Sequence, residues 1–229
     1  KLGGTQWHKT QVKVKSHLRD IASDLLNLYA ERAQLKRKAY SSPGKDYEAF
    51  ENAFPYEETS DQLQAINAVL SDMQKDHPMD RLICGDVGFG KTEVAMRAAF
   101  KAVEDGKQVA IIAPTTILTF QHLQNFQKRF SKWPVEIKAL NRFVAKSEQR
   151  NTIEKLKEGK VDIVIGTHRL FSRDIDFQNL GLLIIDEEQK FGVKHKEKLR
   201  KLKHSVDTLA MSATPIPRTL NMSLIGVRD

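Results

Sequence analysis

The sequence predicts an α/β domain built on a mostly parallel sheet with helices on both faces. Six short apolar runs alternate with stretches of helical periodicity, and such runs are typical of parallel strands that are buried on both faces. The predicted strands cover residues 81–85, 108–113, 136–140, 161–165, 182–186 and 208–212. Ligands of such a doubly wound sheet bind outside the carboxyl ends of its strands. Functional residues are therefore expected in the segments that follow the strands.

Glycines mark the ends of two intervening helices. Gly106 follows the helical stretch 92–104, and Gly159 follows the stretch 147–158. A glycine after the last turn is a common way for a helix to end, because glycine adopts a left-handed conformation at low cost. These helices connect successive strands and support the doubly wound topology.

The first 45 residues differ in composition from the rest of the chain. They contain ten Lys or Arg and three Asp or Glu, a surplus of +7. Residues 14–38 have the apolar spacing of an amphipathic helix, and the cluster 41–44, Ser-Ser-Pro-Gly, is expected to break it. The sequence therefore predicts a basic linker helix arm over 1–45 and a globular domain over 46–229. We favour an arm that packs along the domain over one that binds DNA directly.

Composition excludes several classes of protein. The sequence has no stretch of about 18 uncharged apolar residues, and it begins without the apolar run of a signal peptide. Its single cysteine, Cys84, allows no internal disulfide and no cysteine cluster for zinc. We expect a cytoplasmic protein without a membrane partner. Of the net charge of +8, the arm holds nearly all, so a nucleic-acid site must be argued from local groups.

The strongest motif lies between the first predicted strand and a helix. Residues 85–92 satisfy the pattern G-x-x-x-x-G-K-[ST] of a phosphate-binding loop. Backbone N–H groups of such a loop cradle phosphate oxygens, while Lys91 would reach the β and γ phosphates and the Thr92 hydroxyl would hold Mg²⁺. The predicted nucleotide-binding residues here are Gly85, Asp86, Val87, Gly88, Phe89, Gly90, Lys91 and Thr92. The predicted cofactors are ATP and Mg²⁺.

A second apolar strand, 182–186, delivers acidic side chains at its carboxyl end. Asp186 is placed to bind the metal ion, directly or through water, and Glu187 is placed to orient and deprotonate an attacking water molecule. Many kinases with a similar loop pass phosphate to a substrate and need no water-activating carboxylate, whereas a hydrolase does. Glu187 and Lys91 are therefore the predicted catalytic residues of an ATP hydrolase.

Further segments resemble, in the expected order, the motifs of superfamily 2 helicases. Phe54 to Gln62 resembles the adenine-reading Q motif, and 113–116, 166–168, 186–189 and 212–214 resemble later motifs. The resemblance implies a RecA-like P-loop NTPase fold and the first lobe of a motor. Segments 1–22, 85–100, 186–198 and 212–222 are similar to the family of bacterial transcription-repair coupling factors. The branch-migrating junction helicases share some of these phrases and remain the alternative.

The resemblance also implies roles for single residues. Phe54 and Gln62 would contact adenine, and Gln189 would sense the γ-phosphate. Thr59 to Gln62 also fits a capping box, in which the Gln62 side chain bonds to the Thr59 amide. Contacts to the DNA backbone would come from Pro114, Thr115, Thr116, Arg142, Gly166, Thr167, His168 and Arg169. Coupling of nucleotide to DNA would involve Ser212, Thr214 and Arg218 after a strand expected between the two motif strands. Phe143 is expected to be a packing residue.

For the whole protein, the resemblance implies a translocase that contacts the backbone of double-stranded DNA without reading sequence. Its partners would be RNA polymerase, excision-repair proteins and a second motor lobe. In such motors the opposing lobe supplies an arginine finger, which is worth about 10³ to 10⁵ in rate. The 229 residues alone are therefore expected to be nearly inactive. The alternative from another class is a non-catalytic, nucleotide-switched binding module.

Overall fold

Six parallel strands form the centre of the computed structural model, which describes residues 34–191, 199 and 205–213. The strands are β1 (Asp80–Cys84), β2 (Gln108–Ile112), β3 (Ile137–Leu140), β4 (Ile163–Gly166), β5 (Leu180–Asp186) and β6 (Asp207–Ser212). They are ordered β1-β6-β5-β2-β4-β3 across the sheet. All six predicted strands are confirmed, each with ends within two residues of the predicted ones.

Five α-helices connect or flank the strands in the described part of the chain. They are α1 (Lys45–Asn52), α2 (Ser60–Met73), α3 (Lys91–Glu104), α4 (Thr116–Arg129) and α5 (Lys146–Lys157). Gly106 and Gly159 have φ values of 71° and 72° and confirm the predicted ends of α3 and α5. None of the helices in the described ranges has both the length and the apolar character needed to cross a membrane.

Helices cover both faces of the sheet, as the apolar runs predict. Successive strand residues alternate between two hydrophobic clusters because side chains of a strand point to opposite faces. Ile111 and Ile184 belong to a cluster that also contains residues of α1 to α4, including Phe50. Ala110 belongs to the other cluster, which includes Leu156 of α5. The sheet is thus the middle layer of three.

The register of the sheet places β6 between the two strands that carry the nucleotide motifs. Cys84 at the end of β1 pairs with Ser212, and Asp186 at the end of β5 pairs with Met211. The expected position of β6 between the motif strands is therefore confirmed. The segments that follow β1, β5 and β6 consequently start side by side.

The predicted helix over 14–38 is wrong at its carboxyl end, because residues 35–44 contain no helix. The amides of Arg37 and Tyr40 donate to the carbonyls of Asp76 and Met73 at 2.7 and 3.1 Å. The Arg37 guanidinium also bonds to Asp207, at 3.1 and 2.7 Å. These bonds to the domain replace the bonds that a helix would make. The earlier part of the predicted helix lies outside the described residues.

Candidate nucleotide and metal site

The residues predicted to bind nucleotide and metal lie at the carboxyl ends of neighbouring strands. β1 leads into the phosphate-binding loop, β5 ends at Asp186, and β6 ends between them at Ser212. The Gly85 amide donates to the Ser212 carbonyl at 3.2 Å, and the Glu187 amide donates to the Met211 carbonyl at 2.9 Å. The end of β6 therefore connects the loop to the acidic segment. This edge is where a doubly wound sheet binds its ligands.

Two glycines shape the phosphate-binding loop. Gly88 and Gly90 have φ values of 89° and 71°, which side chains with a Cβ rarely adopt. A Cβ at Gly90 would also overlap the side-chain amide of Gln62, which donates to the Phe89 carbonyl at 2.9 Å. Helix α3 begins at Lys91, directly after the loop. The N–H groups at the start of α3 therefore adjoin the loop and favour an anion there.

Lys91 bonds to the loop in which it lies. Its Nζ donates to the carbonyl oxygens of Gly85 and Asp86 at 2.5 and 2.7 Å. Phosphate oxygens would compete for these ammonium protons, because a carboxylate or phosphate forms the stronger charge-assisted bond. Thr92 follows as the second residue of α3. Contacts of Lys91 and Thr92 with nucleotide or metal stay predictions.

Asp186 has a buried partner that the sequence did not reveal. The Nε2 atom of His122 lies 2.8 Å from Oδ2 of Asp186, and the two side chains are only 8% and 14% exposed. An ionised carboxylate can only accept a hydrogen bond, so the imidazole N–H donates. His122 projects from the buried face of α4, between Thr119 and Phe126. The available signal was a polar residue at a core position of an amphipathic helix, which is weak without the fold.

Glu187 is held in an unusual backbone conformation. Among the described residues it is the one residue other than glycine with a left-handed φ, at 51° with ψ at 51°. Its Oε1 accepts a hydrogen bond from the Ala213 amide at 3.1 Å, and its Oε2 accepts one from the Gln189 side chain. The carboxylate thus contacts both the segment after β6 and the residue predicted to sense the γ-phosphate. Left-handed residues of this kind cluster at functional sites.

The capping-box interpretation of Gln62 is confirmed. The Gln62 amide donates to Thr59 Oγ1 at 3.2 Å, and Gln62 Oε1 accepts from the Thr59 amide at 3.0 Å. Its side-chain nitrogen bonds to the phosphate-binding loop at Phe89. Both the oxygen and the nitrogen of the Gln62 side-chain amide therefore have protein partners, and contact with adenine stays a prediction. Phe54 lies beside the Tyr56 ring, with the centroids 5.5 Å apart.

A buried ionic cluster that local sequence patterns do not indicate connects α3, the helix after the phosphate-binding loop, to its neighbours. Arg97 of α3 is fully buried and bonds to Glu51, Glu58 and Glu93. Arg129 of α4 bonds to the same Glu93 at 2.8 Å. Burial alone would lower the pKa of Arg97, but the hydrogen bonds that its guanidinium donates to Glu93 and Glu58 raise it above its ordinary value. The cluster joins α1, α3 and α4 with the segment before α2.

The guanidinium groups of this cluster also contact the predicted adenine-stacking residue. The Phe54 ring centroid lies 5.7 Å from the Arg97 guanidinium carbon and 5.6 Å from that of Arg129. Cations at this distance from an aromatic face are attracted to it. The ring of Phe54 therefore has a defined environment on the protein side, and base stacking stays a prediction.

The residues predicted to contact DNA lie at one edge of the sheet, where all but Gly166, the last residue of β4, follow β2, β3 or β4. They are Pro114, Thr115, Thr116, Arg142, Gly166, Thr167, His168 and Arg169. Arg142 and His168 are exposed, whereas Thr167 is buried. The Thr115 hydroxyl accepts from the Leu118 amide at 3.2 Å and caps α4. The sheet thus brings these loops to one edge, although their side chains differ in accessibility.

Arg169, which is predicted to contact DNA, is paired with a carboxylate. It makes two bonds to Asp174, at 2.7 and 2.6 Å, and this partner raises the pKa of the guanidinium. Phe143 is 72% exposed, and its ring centroid lies 5.0 Å from the Arg142 guanidinium carbon. The prediction that Phe143 is a packing residue is therefore wrong, because the turn after Asn141 directs it away from the core. Thr214 and Arg218 lie outside the described residues.

The fold and the site define a P-loop nucleotide-binding domain of the RecA-like type. A strand, a glycine-rich loop and a helix occur in that order, and the acidic strand lies two positions away in the sheet. Residues 59–223 match the family model for DEAD/DEAH box helicases, and the chain belongs to that family.

The chain is similar to proteins of two kinds, transcription-repair-coupling factors and RecG. The chain is 56% identical over 229 residues to the transcription-repair-coupling factor of Bacillus subtilis (strain 168) and 55% identical to that of Staphylococcus aureus (strain USA300). All of this chain is aligned, yet it spans 20% of the length of each relative. A solved structure of RecG bound to a three-way DNA junction matches 90% of this chain with a TM-score of 0.74 and 37% identity, over 28% of that chain.

Proposed function

We propose that this chain is the ATP-binding motor lobe of a double-stranded-DNA translocase. One observation carries the proposal: the phosphate-binding loop and the acids Asp186 and Glu187 start side by side, with the end of β6 bonded to both. A loop that binds phosphates beside a carboxylate that activates water is the arrangement that nucleotide hydrolysis requires. DNA as the polymer along which the motor moves is supported by the helicase family and by the similarity to coupling factors and to RecG.

The donor set fits Mg²⁺. This ion prefers oxygen ligands and retains several waters, so one hydroxyl, one carboxylate and the nucleotide phosphates suffice. Thr92 and Asp186 would supply the protein oxygens. When bound, the ion neutralises charge that develops on the phosphates.

The chain's own residues then divide the work of hydrolysis. Lys91 and the loop amides bind the phosphates, and Glu187 orients the attacking water and accepts its proton. The bond from the Ala213 amide to Glu187 fixes one carboxylate oxygen. Movement of the segment after β6 would consequently alter the position of Glu187, which suits a coupling role for Ser212. Thr214 and Arg218 keep the same proposed role.

We infer that DNA binds along the loops after β2, β3 and β4. Hydroxyls, loop amides and Arg142 suit phosphate contacts that carry no sequence information. Arg169 should contribute less than Arg142, because Asp174 neutralises its charge. Binding through such contacts weakens steeply as salt rises.

For the whole protein, the proposal is displacement of stalled RNA polymerase and coupling of transcription to excision repair in the cytoplasm. It rests on the identity of 55–56% to coupling factors. The likeness to RecG, at 37% identity, supports a second candidate, a fork or junction remodeller. Adding the full-length protein to a stalled transcription complex and to a three-way junction separates the two. Release of polymerase favours the first, and junction unwinding without any effect on polymerase favours the second.

The experiment that tests the catalytic assignment is Glu187→Gln in the full-length protein. We expect ATP hydrolysis to fall by about 10² to 10⁴, the usual contribution of a general base, while affinity for a fluorescent ATP analogue with Mg²⁺ is retained. Translocation along DNA should stop with hydrolysis. A nucleotide-switched binding module would instead keep its partner binding in this variant and show no wild-type turnover to lose.

The isolated chain should show a partial activity. We propose that its 229 residues bind Mg²⁺ and ATP weakly, hydrolyse ATP very slowly and do not translocate, because a second lobe and its arginine finger complete the site. Steady-state turnover measured with and without duplex DNA checks this. Robust DNA-stimulated hydrolysis by the isolated chain would contradict it.

A further inference from the structure

The buried face of α4 carries polar side chains where an amphipathic helix normally carries apolar ones. Thr119 and His122 are 0% and 7% exposed, and they stand on the same face as the buried Phe126. Burying polar groups costs free energy unless each finds a partner. Thr119 and His122 each have a partner, Asn141 near the predicted DNA contacts and Asp186 at the predicted metal site.

At one end of this face, α4 bonds to the DNA-facing loops. The helix is capped by Thr115, and Thr119 Oγ1 accepts a bond of 3.4 Å from the side-chain amide of Asn141. Asn141 is itself buried, and its Oδ1 accepts from the Phe143 amide at 2.9 Å. It therefore shapes the turn that holds Arg142.

At the other end, His122 bonds to Oδ2 of Asp186 at 2.8 Å. One turn of helix separates Thr119 from His122, so a single rigid element contacts both the turn at Arg142 and the predicted metal acid. A carboxylate whose orientation is fixed by a hydrogen bond from a neighbouring side chain binds a metal ion better than a free one. The bond engages one carboxylate oxygen and leaves the second for the ion or its water.

We propose that His122 is a positioning residue for Mg²⁺ and that the Thr119–His122 face of α4 couples the DNA-facing loops to Asp186. This inference rests on the proposed function and adds a residue and a route to it. A shift of the turn at Arg142 on binding DNA would move α4 and hence the Asp186 carboxylate. Because such coupling is reciprocal, Mg²⁺ and nucleotide would also alter the affinity for DNA.

The test compares His122→Leu, His122→Gln and Thr119→Val with Phe126→Leu in the full-length protein. Phe126→Leu is the control, because it disturbs the same buried face one turn further on without touching Asp186. Two quantities are measured: the Mg²⁺ concentration for half-maximal binding of a fluorescent ATP analogue, and the ratio of ATPase rates with and without duplex DNA.

For His122→Leu we expect the Mg²⁺ concentration for half-maximal binding to rise about tenfold, in line with the loss of other partners of metal-binding groups. The glutamine variant, which retains an N–H donor, should restore part of it. Thr119→Val should keep the wild-type Mg²⁺ dependence but lower the stimulation by DNA, and it tests the route even if His122→Leu does not fold. Phe126→Leu should leave both the Mg²⁺ concentration for half-maximal binding and the stimulation by DNA near wild type.

The outcomes separate the two levels of the proposal. A wild-type protein without Mg²⁺-dependent ATP binding overturns the proposed function itself. A normal wild type whose His122→Leu variant matches Phe126→Leu in Mg²⁺ dependence overturns the positioning role. Unchanged stimulation by DNA in Thr119→Val overturns the route through α4.

Discussion

At the scale of single residues, the site is built from backbone conformations that most side chains avoid. Gly88, Gly90 and Glu187 all have left-handed φ values, and all three lie in the nucleotide motifs. Glycine adopts this conformation freely, whereas in other residues it costs about 1–3 kcal/mol. For Glu187 the cost is offset by bonds from its amide to Met211 and from the Ala213 amide to its carboxylate.

The two loop glycines give a matched pair of substitutions. Gly90→Ala should weaken binding of an ATP analogue more than Gly88→Ala. A Cβ at Gly90 would overlap the Gln62 side chain, whereas a Cβ at Gly88 would have no atom within 4 Å. Each variant carries a left-handed alanine that costs about 1–2 kcal/mol. Titration of the analogue with the isolated chain measures the difference. Equal affinities for the two variants would show that the Gln62 contact has no part in shaping the loop.

At the scale of elements, the ionic cluster around Arg97 ties α3, the helix that follows the phosphate-binding loop, to its neighbours. Arg97 is 1% exposed in its side chain, and Glu93 is 6% exposed, so water screens their interaction little. The cluster connects α3, which starts at Lys91, with α1 and α4. Removal of one partner from such a group leaves the others buried and unpaired.

We expect Arg97→Met to lower the free energy of unfolding by about 3–5 kcal/mol, the usual cost of breaking a buried ion pair. The matched control is Arg169→Met, since Arg169 is also paired with a carboxylate but is 27% exposed in its side chain. That variant should lose no more than about 1 kcal/mol. Urea denaturation of the isolated chain measures both. A similar loss in both variants would contradict the assignment.

The same cluster predicts a dependence on pH. Burial would raise the pKa of Glu58, but hydrogen bonds from its backbone and from Arg97 hold it below its ordinary value. A carboxyl group whose pKa is lower in the folded than in the unfolded protein stabilises the fold at pH values above its unfolded pKa. This contribution is lost as the pH falls through the folded pKa. Wild-type stability should therefore fall more steeply than that of Arg97→Met under acidic conditions below pH 4.5. Parallel curves would contradict this contribution.

At the scale of the whole molecule, the sequence predicted the layers and the strand ends well. Apolar continuity, glycine stops and the phosphate-binding pattern are local signals, and the predicted position of β6 between the motif strands is confirmed. The predicted site residues 85–92, Asp186 and Glu187 consequently meet at one edge. Their roles toward nucleotide and metal remain proposals.

What the sequence could not predict depends on contacts between distant segments. His122 and Arg97 are isolated polar residues in helical patterns, and their partners lie 64 and up to 46 positions away. Residues 35–38 are wrongly predicted as helix because periodicity ignores the bonds that Arg37 and Tyr40 make with the domain. The packing role predicted for Phe143 is wrong because the turn after Asn141 leaves the residue 72% exposed. Each error or omission comes from a tertiary partner or a turn that local patterns do not encode.

The central claim is that one Mg²⁺-bound triphosphate occupies the space between the phosphate-binding loop and the acidic strand end. A crystal structure of this chain with a non-hydrolysable ATP analogue and Mg²⁺ tests it most directly. We predict that Lys91 leaves the Gly85 and Asp86 carbonyls for the phosphates. The ion should lie about 2.1 Å from the Thr92 hydroxyl oxygen and be bound by Asp186 directly or through a water molecule. A nucleotide bound elsewhere, or one whose ion lies far from both residues, would contradict the claim.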